Sequence, residues 1–297
     1  MERINLKGLG VALITPFKTN GDVDFQVLRR LVDYQLQNDT DYLVVLGTTA
    51  ETPTLTSDEQ KEITQLVVEQ VNGKIPVVLG VSGNNTRALV DRLKKDDFSG
   101  IDAILSVVPY YNKPSQEGIY QHYKQIAGST SLPVVMYNVP GRTGVNMSAE
   151  TTLRLANDFE NVVAVKEASG NFAQIGTIIK NKPLDFQVIS GDDGITLPLI
   201  AIGAVGVIAV TGNAFPKEFG RMVRLALSGD YANAMLIHQN FTELFELLFV
   251  DGSPAGIKSV LSMMGYVENI LRLPLIPTRI TTYEKIKAIL QEMNIKC

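Results

Sequence analysis

Cysteine and histidine are scarce in this chain. Its 297 residues include one cysteine, Cys297 at the last position, and two histidines, His122 and His238. A single cysteine allows no intrachain disulfide, which fits a reducing compartment. Composition excludes a Cys/His zinc cluster, and no EF-hand spacing offers a Ca or Mg loop. A Ser-His-Asp triad is disfavoured because no Gly-x-Ser-x-Gly elbow occurs. The histidines lie in Gln-His-Tyr-Lys and Leu-Ile-His-Gln, both in helical-looking stretches, where solvated or helix-packing roles are expected. Long apolar runs are also missing. No segment approaches the roughly 20 apolar residues of a membrane span. The longest candidate, Ile195 to Val210, is broken by Pro198, Gly203 and Gly206. The N-terminus, Met-Glu-Arg-Ile-Asn-Leu-Lys, has no apolar region behind its charges. With 27 Lys+Arg against 31 Asp+Glu, the net charge of -4 gives no electrostatic reason to expect nucleic acid. The expectation is a cytoplasmic soluble protein with neither a membrane nor a nucleic-acid partner.

Short apolar runs, by contrast, recur along the chain. They begin near Val11-Ala-Leu-Ile-Thr, Tyr42-Leu-Val-Val-Leu, Pro76-Val-Val-Leu-Gly and Ala103-Ile-Leu-Ser-Val-Val. Further runs are Pro133-Val-Val-Met-Tyr, Val162-Val-Ala-Val-Lys, Phe186-Gln-Val-Ile-Ser and Val205-Gly-Val-Ile-Ala-Val. They are rich in β-branched residues and nearly continuous in hydrophobicity, as parallel strands buried on both faces are. Their spacing leaves room for one helix between each pair. Asp24 to Gln37 carries apolar residues at helical spacing. Ser57-Asp-Glu-Gln resembles a capping box, and Ser115-Gln-Glu-Gly and Ser148-Ala-Glu-Thr look like helix starts. The alternation predicts a (β/α)8 TIM barrel, with a doubly wound open sheet as the alternative. Pro216 to Ser228 closes the barrel. Tyr231 to Phe249, Ala255 to Met264 and Thr282 to Met293 then form a C-terminal helical extension. The expected division is a catalytic barrel over 1–228 and an extension over 229–297.

In parallel barrels the site forms at the C-terminal ends of the strands. The residues that follow the runs include Gly47-Thr48-Thr49-Ala50-Glu51, Pro109-Tyr110-Tyr111-Asn112, Tyr137-Asn138-Val139-Pro140-Gly141-Arg142-Thr143, Lys166-Glu167 and Ser190-Gly191-Asp192-Asp193. Lys166 directly follows buried strand residues. Desolvation disfavours its ammonium and would make it an amine nucleophile that condenses with a ketone. Position alone equally allows an ion pair with Glu167 or another carboxylate at the strand end. Tyr137, on the neighbouring strand, is the natural proton carrier because no histidine is placed to serve. Read singly it would be packing. Gly47-Thr48-Thr49 looks like an anion seat, with glycine permitting a tight turn and two hydroxyls adding donors; a helix-entry loop is the plainer reading. Glu51 reads as structural. Arg142, in the loop leaving the fifth strand, could clamp a carboxylate or lie free on the surface. Asp192 and Asp193 disfavour a phosphate at the seventh strand and favour a small carboxylate substrate.

Together these segments resemble the 4-hydroxy-tetrahydrodipicolinate synthase (dihydrodipicolinate synthase) family. The resemblance lies in Gly47-Thr-Thr-Ala-Glu, Pro109-Tyr-Tyr-Asn-Lys-Pro-Ser-Gln-Glu-Gly, Tyr137-Asn-Val-Pro-Gly-Arg-Thr, Lys166-Glu-Ala and Ser190-Gly-Asp-Asp, in the family's order and over most of the barrel. It implies that Lys166 condenses with pyruvate, that Thr48 and Thr49 bind the pyruvate carboxylate, and that the enamine adds to L-aspartate 4-semialdehyde. Cyclisation would follow, in diaminopimelate and lysine biosynthesis. It further implies a proton relay of Tyr137, Thr48 and Tyr111, with Tyr111 supplied by a neighbouring subunit. Arg142 would bind the semialdehyde carboxylate, and Gly191 and Ile208 would offer backbone near the keto acid. No cofactor and no metal are implied, and the family is usually a homotetramer, a dimer of tight dimers. Some members are inhibited by lysine. Asn84 and Tyr110 match that site, but Ser57, Gln60 and Ala88 stand where inhibited members often have two histidines and a glutamate. Weak or absent inhibition is therefore expected. Ala50 replaces a usual glycine, and Thr52-Pro53 a common Ser-Ala. Gly252-Ser-Pro-Ala-Gly-Ile-Lys258 departs from a frequent Asn-Pro-Ile-Pro-Val-Lys form, with no role assigned. The competing readings are a lyase of the same superfamily acting on N-acetylneuraminate or a 2-keto-3-deoxy sugar acid, and a non-catalytic keto-acid-binding barrel.

Overall fold

The computed structural model describes residues 4–295. Cys297 and the first three residues of the N-terminal segment lie outside the described residues. Eight parallel strands close into a barrel in chain order, the first pairing with the eighth. They are β1 (Gly8–Ala12), β2 (Tyr42–Val45), β3 (Val77–Gly80), β4 (Ala103–Val107), β5 (Val134–Asn138), β6 (Val162–Glu167), β7 (Gln187–Ser190) and β8 (Gly206–Ala209). The open-sheet alternative is excluded by this closure.

The near-continuous hydrophobicity of the strands has a two-sided cause. Successive side chains point to opposite faces. In β2, Tyr42 and Val44 fill the barrel interior with Val78, Ala103, Leu105, Val135, Ala164, Ile189 and Ile208. Leu43 and Val45 instead meet the surrounding helices. Tyr42 is accommodated because its neighbour across the sheet is Gly10, where a Cβ would lie 2.2 Å from the tyrosine ring.

The helical ring comprises α1 (Phe25–Gln37), α2 (Ser57–Val71), α3 (Thr86–Lys95), α4 (Gln116–Ala127), the single turn α5 (Pro140–Thr143), α6 (Ala149–Asp158), α7 (Phe172–Asn181), α8 (Thr196–Ala201) and α9 (Pro216–Leu227). The extension is α10 (Tyr231–Leu247), α11 (Ala255–Met263) and α12 (Ile280–Glu292). Side-chain caps fix the starts of several helices, Ser115 on α4 and Ser148 on α6 among them, as expected. The capping box of α2 lies one residue before the predicted Ser57. Thr56 accepts from the Glu59 N–H, and Glu59 reaches back to the Thr56 N–H at 2.8 Å. A threonine and a glutamate do the work assigned to Ser57 and Gln60. The first strand also begins at Gly8 rather than near Val11, because two glycines masked its apolar signal. The extension packs on the barrel through a cluster of Phe215, Phe219, Phe241 and Phe245.

Candidate active site

The period of two along β6 decides where its last residues go. Lys166 lies two residues beyond the interior Ala164 and enters the barrel mouth, 6% exposed. Tyr137 has the same parity on β5 and pairs with Lys166 in register. The lysine Nζ sits over the tyrosine ring, 4.3 Å from its centroid. Glu167 points the other way. It accepts hydrogen bonds from Asn138 Nδ2 at 3.1 and 3.2 Å, the Ser169 N–H at 2.8 Å and Gln174 Nε2 at 3.3 Å. The ion pair with Glu167 allowed by sequence position is thereby ruled out.

Burial lowers the Lys166 pKa from 10.5 to about 8, with the Arg142 charge acting in the same direction and Asp193 opposing both. At pH 7 this leaves about one amine in ten unprotonated, some 300-fold more than an ordinary lysine. Burial also pushes the Tyr137 phenol up to about 12, offset in part by Arg142 and by the neighbouring Thr48 hydroxyl. The phenol therefore stays protonated and available to donate near neutrality.

Asp193 was read from sequence only as an argument against phosphate. It is 1% exposed and bridges the ends of β7 and β8, accepting from the Val210 N–H at 3.0 Å and the Thr211 N–H at 2.6 Å. Burial raises its pKa to about 6, so it is mainly ionised at neutral pH and supplies the negative charge felt by Lys166. Its sequence signal was faint, since two adjacent aspartates in a loop usually face water.

The anion-seat segment forms a 3₁₀ turn over Thr48–Ala50, with Thr49 buried and Thr48 exposed. Its tight geometry does not come from Gly47, which has φ -78°; Leu46 and Glu51, both at φ 55°, take the left-handed conformation. Thr52 Oγ1 ties the turn to the Gly47 carbonyl at 2.8 Å, and Thr15 Oγ1 donates to the Ala50 carbonyl at 2.7 Å. Glu51 is buried and structural, as expected. Gly191 packs on the lysine stem: a Cβ there would lie 2.8 Å from Ala168 Cβ and 3.1 Å from Lys166 Cε. Only glycine allows that approach. Ile208 lies on β8 inside the barrel.

Arg142 lies in α5, a helical turn where a loop was expected, with its side chain exposed and its charge reaching Tyr137 and Lys166. Tyr111 is not brought to this cluster. It is 87% exposed, in the left-handed region at φ 75°. His122 is buried between helices with Nδ1 2.8 Å from Thr86 Oγ1, and His238 is half-buried beside Phe245. Both take the helix-packing role expected of them.

Fold and cluster define an α/β barrel whose mouth holds a desolvated amine beside a protonated phenol and a threonine turn. Residues 5–293 match the Dihydrodipicolinate synthetase family, and the chain belongs to that family. It is 71% identical to the 4-hydroxy-tetrahydrodipicolinate synthase of Parabacteroides distasonis over 297 residues, all of both chains. It is 69% identical, again over both full chains, to that of Phocaeicola vulgatus. Among solved structures, dihydrodipicolinate synthase from Aquifex aeolicus superposes with a TM-score of 0.94 at 40% identity, covering 98% of this chain and 99% of that one. The enzyme from Thermotoga maritima gives 0.94 at 42%, covering 97% and 99%.

Proposed function

We propose that the protein is a Schiff-base synthase that condenses pyruvate with L-aspartate 4-semialdehyde and yields 4-hydroxy-tetrahydrodipicolinate. The observation that carries this reading is the Lys166 amine, buried beside Tyr137 with its pKa lowered to about 8. The neutral amine attacks the pyruvate ketone, and loss of water gives a cationic iminium. The iminium withdraws electrons from the adjacent methyl group, which loses a proton to form the enamine. The enamine carbon adds to the aldehyde. The substrate's own amine then closes the ring and displaces Lys166.

Tyr137 and Thr48 handle the protons, and Thr49 with the turn amides holds the keto-acid carboxylate. Gly191 and Ile208 line the seat with backbone. Arg142 takes the semialdehyde carboxylate, for which its exposure at the mouth is suited. Tyr111, exposed in a single chain, completes the relay of a neighbouring subunit in a homotetramer. Lysine inhibits weakly or not at all, because Ser57, Gln60 and Ala88 offer no carboxylate to its ammonium. Gln60 Nε2 is in addition committed to the Leu55 carbonyl at 3.2 Å. The reaction belongs in the cytoplasm, where diaminopimelate and lysine are made.

The test is product formation from pyruvate and aspartate semialdehyde, compared with pyruvate release from N-acetylneuraminate, with and without lysine. Activity in the first assay alone, unaffected by millimolar lysine, is the expected result. Activity only on the sugar acid would overturn the substrate assignment. Strong suppression by lysine would overturn the regulatory one.

A further inference from the structure

Lys258 is the one charged residue of α11, whose other members run Ala-Gly-Ile and Ser-Val-Leu-Ser-Met. It is 0% exposed. Its Nζ donates to Glu51 Oε1 at 2.5 Å and to the Ile270 carbonyl at 2.9 Å. The other Glu51 oxygen accepts from the Arg272 N–H at 3.0 Å. Arg272 then forks onto the Glu59 carboxylate and donates to the Thr54 carbonyl at 2.9 Å and the Gly21 carbonyl at 2.9 Å. Both cations lie on the ring of Phe17, at 4.2 and 4.6 Å from its centroid. Two cations of the extension thus grip the loops that follow β1 and β2.

Glu51 connects this grip to the site. It directly follows the Thr48–Ala50 turn, and its N–H closes that turn on the Thr48 carbonyl at 3.1 Å. Its left-handed φ of 55° is disfavoured for a residue with a long side chain and persists where surrounding contacts impose it. A buried ion pair adds little net stability compared with an apolar pair of the same volume, because desolvation offsets the attraction. A fixed geometry is what such a pair can supply.

We propose that Lys258 is a positioning residue for the anion-binding turn: by holding Glu51 it sets the placement of Thr48 and Thr49 in the barrel mouth. This gives a role to the Gly252–Lys258 segment and makes the extension part of the site's architecture. The proposal rests on the reading of Thr48 and Thr49 as the seat of the keto acid's carboxylate.

The experiment compares Lys258→Met, Thr49→Val and the double variant, reading the KM for pyruvate per folded site. Sites are counted as Lys166 adducts trapped by borohydride at saturating pyruvate. Each single change is expected to raise KM by about tenfold or more, since sub-ångström misplacement of a binding group is costly. The double variant is expected to lose clearly less than the two single losses combined, because Lys258 acts through the turn that carries Thr49. Additive losses, or a raised KM in Thr49→Val beside an unchanged one in Lys258→Met, would overturn the positioning role alone. An unchanged KM in Thr49→Val would overturn the seat itself, and the proposal with it. If Lys258→Met does not fold, Glu51→Gln/Lys258→Met leaves no unpaired buried charge; the same rise in KM is expected, and a wild-type value overturns the proposal.

Discussion

Lys166 and Tyr137 face each other across neighbouring strands, with the lysine Nζ 4.3 Å from the centroid of the tyrosine ring. Strand pairing places them there, and strand parity sends Glu167 away. Among the described residues the amine has no direct carboxylate partner, and its charge is controlled by burial, by Asp193 at a distance and by Arg142.

Imine formation should follow the neutral fraction of Lys166. The folded pKa of about 8 lies below the ordinary 10.5, so the reactive form increases as pH rises through 8. The rate of pyruvate-dependent trapping at subsaturating pyruvate should rise with a midpoint near 8. The same shift makes the ammonium costly below pH 8, and that penalty should fade between 8 and 10.5. A midpoint near 10.5 would mean that burial does not tune this amine.

Asp193→Asn removes the negative charge that opposes desolvation while leaving an oxygen to accept from Val210 and Thr211. The trapping midpoint should move to lower pH. A cationic iminium would also lose its counter-charge, so the adduct should be less populated at equal pyruvate. An unmoved pH profile in a folded variant would remove Asp193 from the account.

Tyr137→Phe should still form the pyruvate adduct but lose proton transfer, slowing turnover by about 10²–10⁴-fold if the phenol is the acid–base group. Stopped-flow measurement of adduct formation beside steady-state kcat separates the two steps. Equal loss in both would indicate a packing role.

Arg142→Ala should raise the KM for the semialdehyde by about tenfold or more and leave that for pyruvate near wild type, as expected for loss of a paired guanidinium–carboxylate contact. Steady-state kinetics with each substrate varied in turn provides the check. Unchanged semialdehyde kinetics would count against the assignment.

The barrel was readable because the strands are buried on both faces and several inter-strand stretches show helical spacing or a helix start. Lys166 and Tyr137 could be picked out because a reactive type follows directly on an apolar run; Gly191 came only through the family resemblance, and the structure places all three together. Other features depend on tertiary contacts. The left-handed turn residues are Leu46 and Glu51, which carry no turn signal, while Gly47 beside them has an ordinary φ. Asp193 acts through burial, which sequence does not display. Lys258 meets Glu51 across 207 residues of chain. Its one visible sign was a lysine amid apolar neighbours in α11. Tyr111 stands apart from the cluster in one chain, so the relay role proposed for it requires a second chain.

The most direct measurement is peptide mass mapping after borohydride reduction with pyruvate. A stable pyruvyl adduct confined to the peptide bearing Lys166, and lost in Lys166→Ala, is the predicted result. An unmodified Lys166 in protein that still turns over both substrates would contradict the account at its centre.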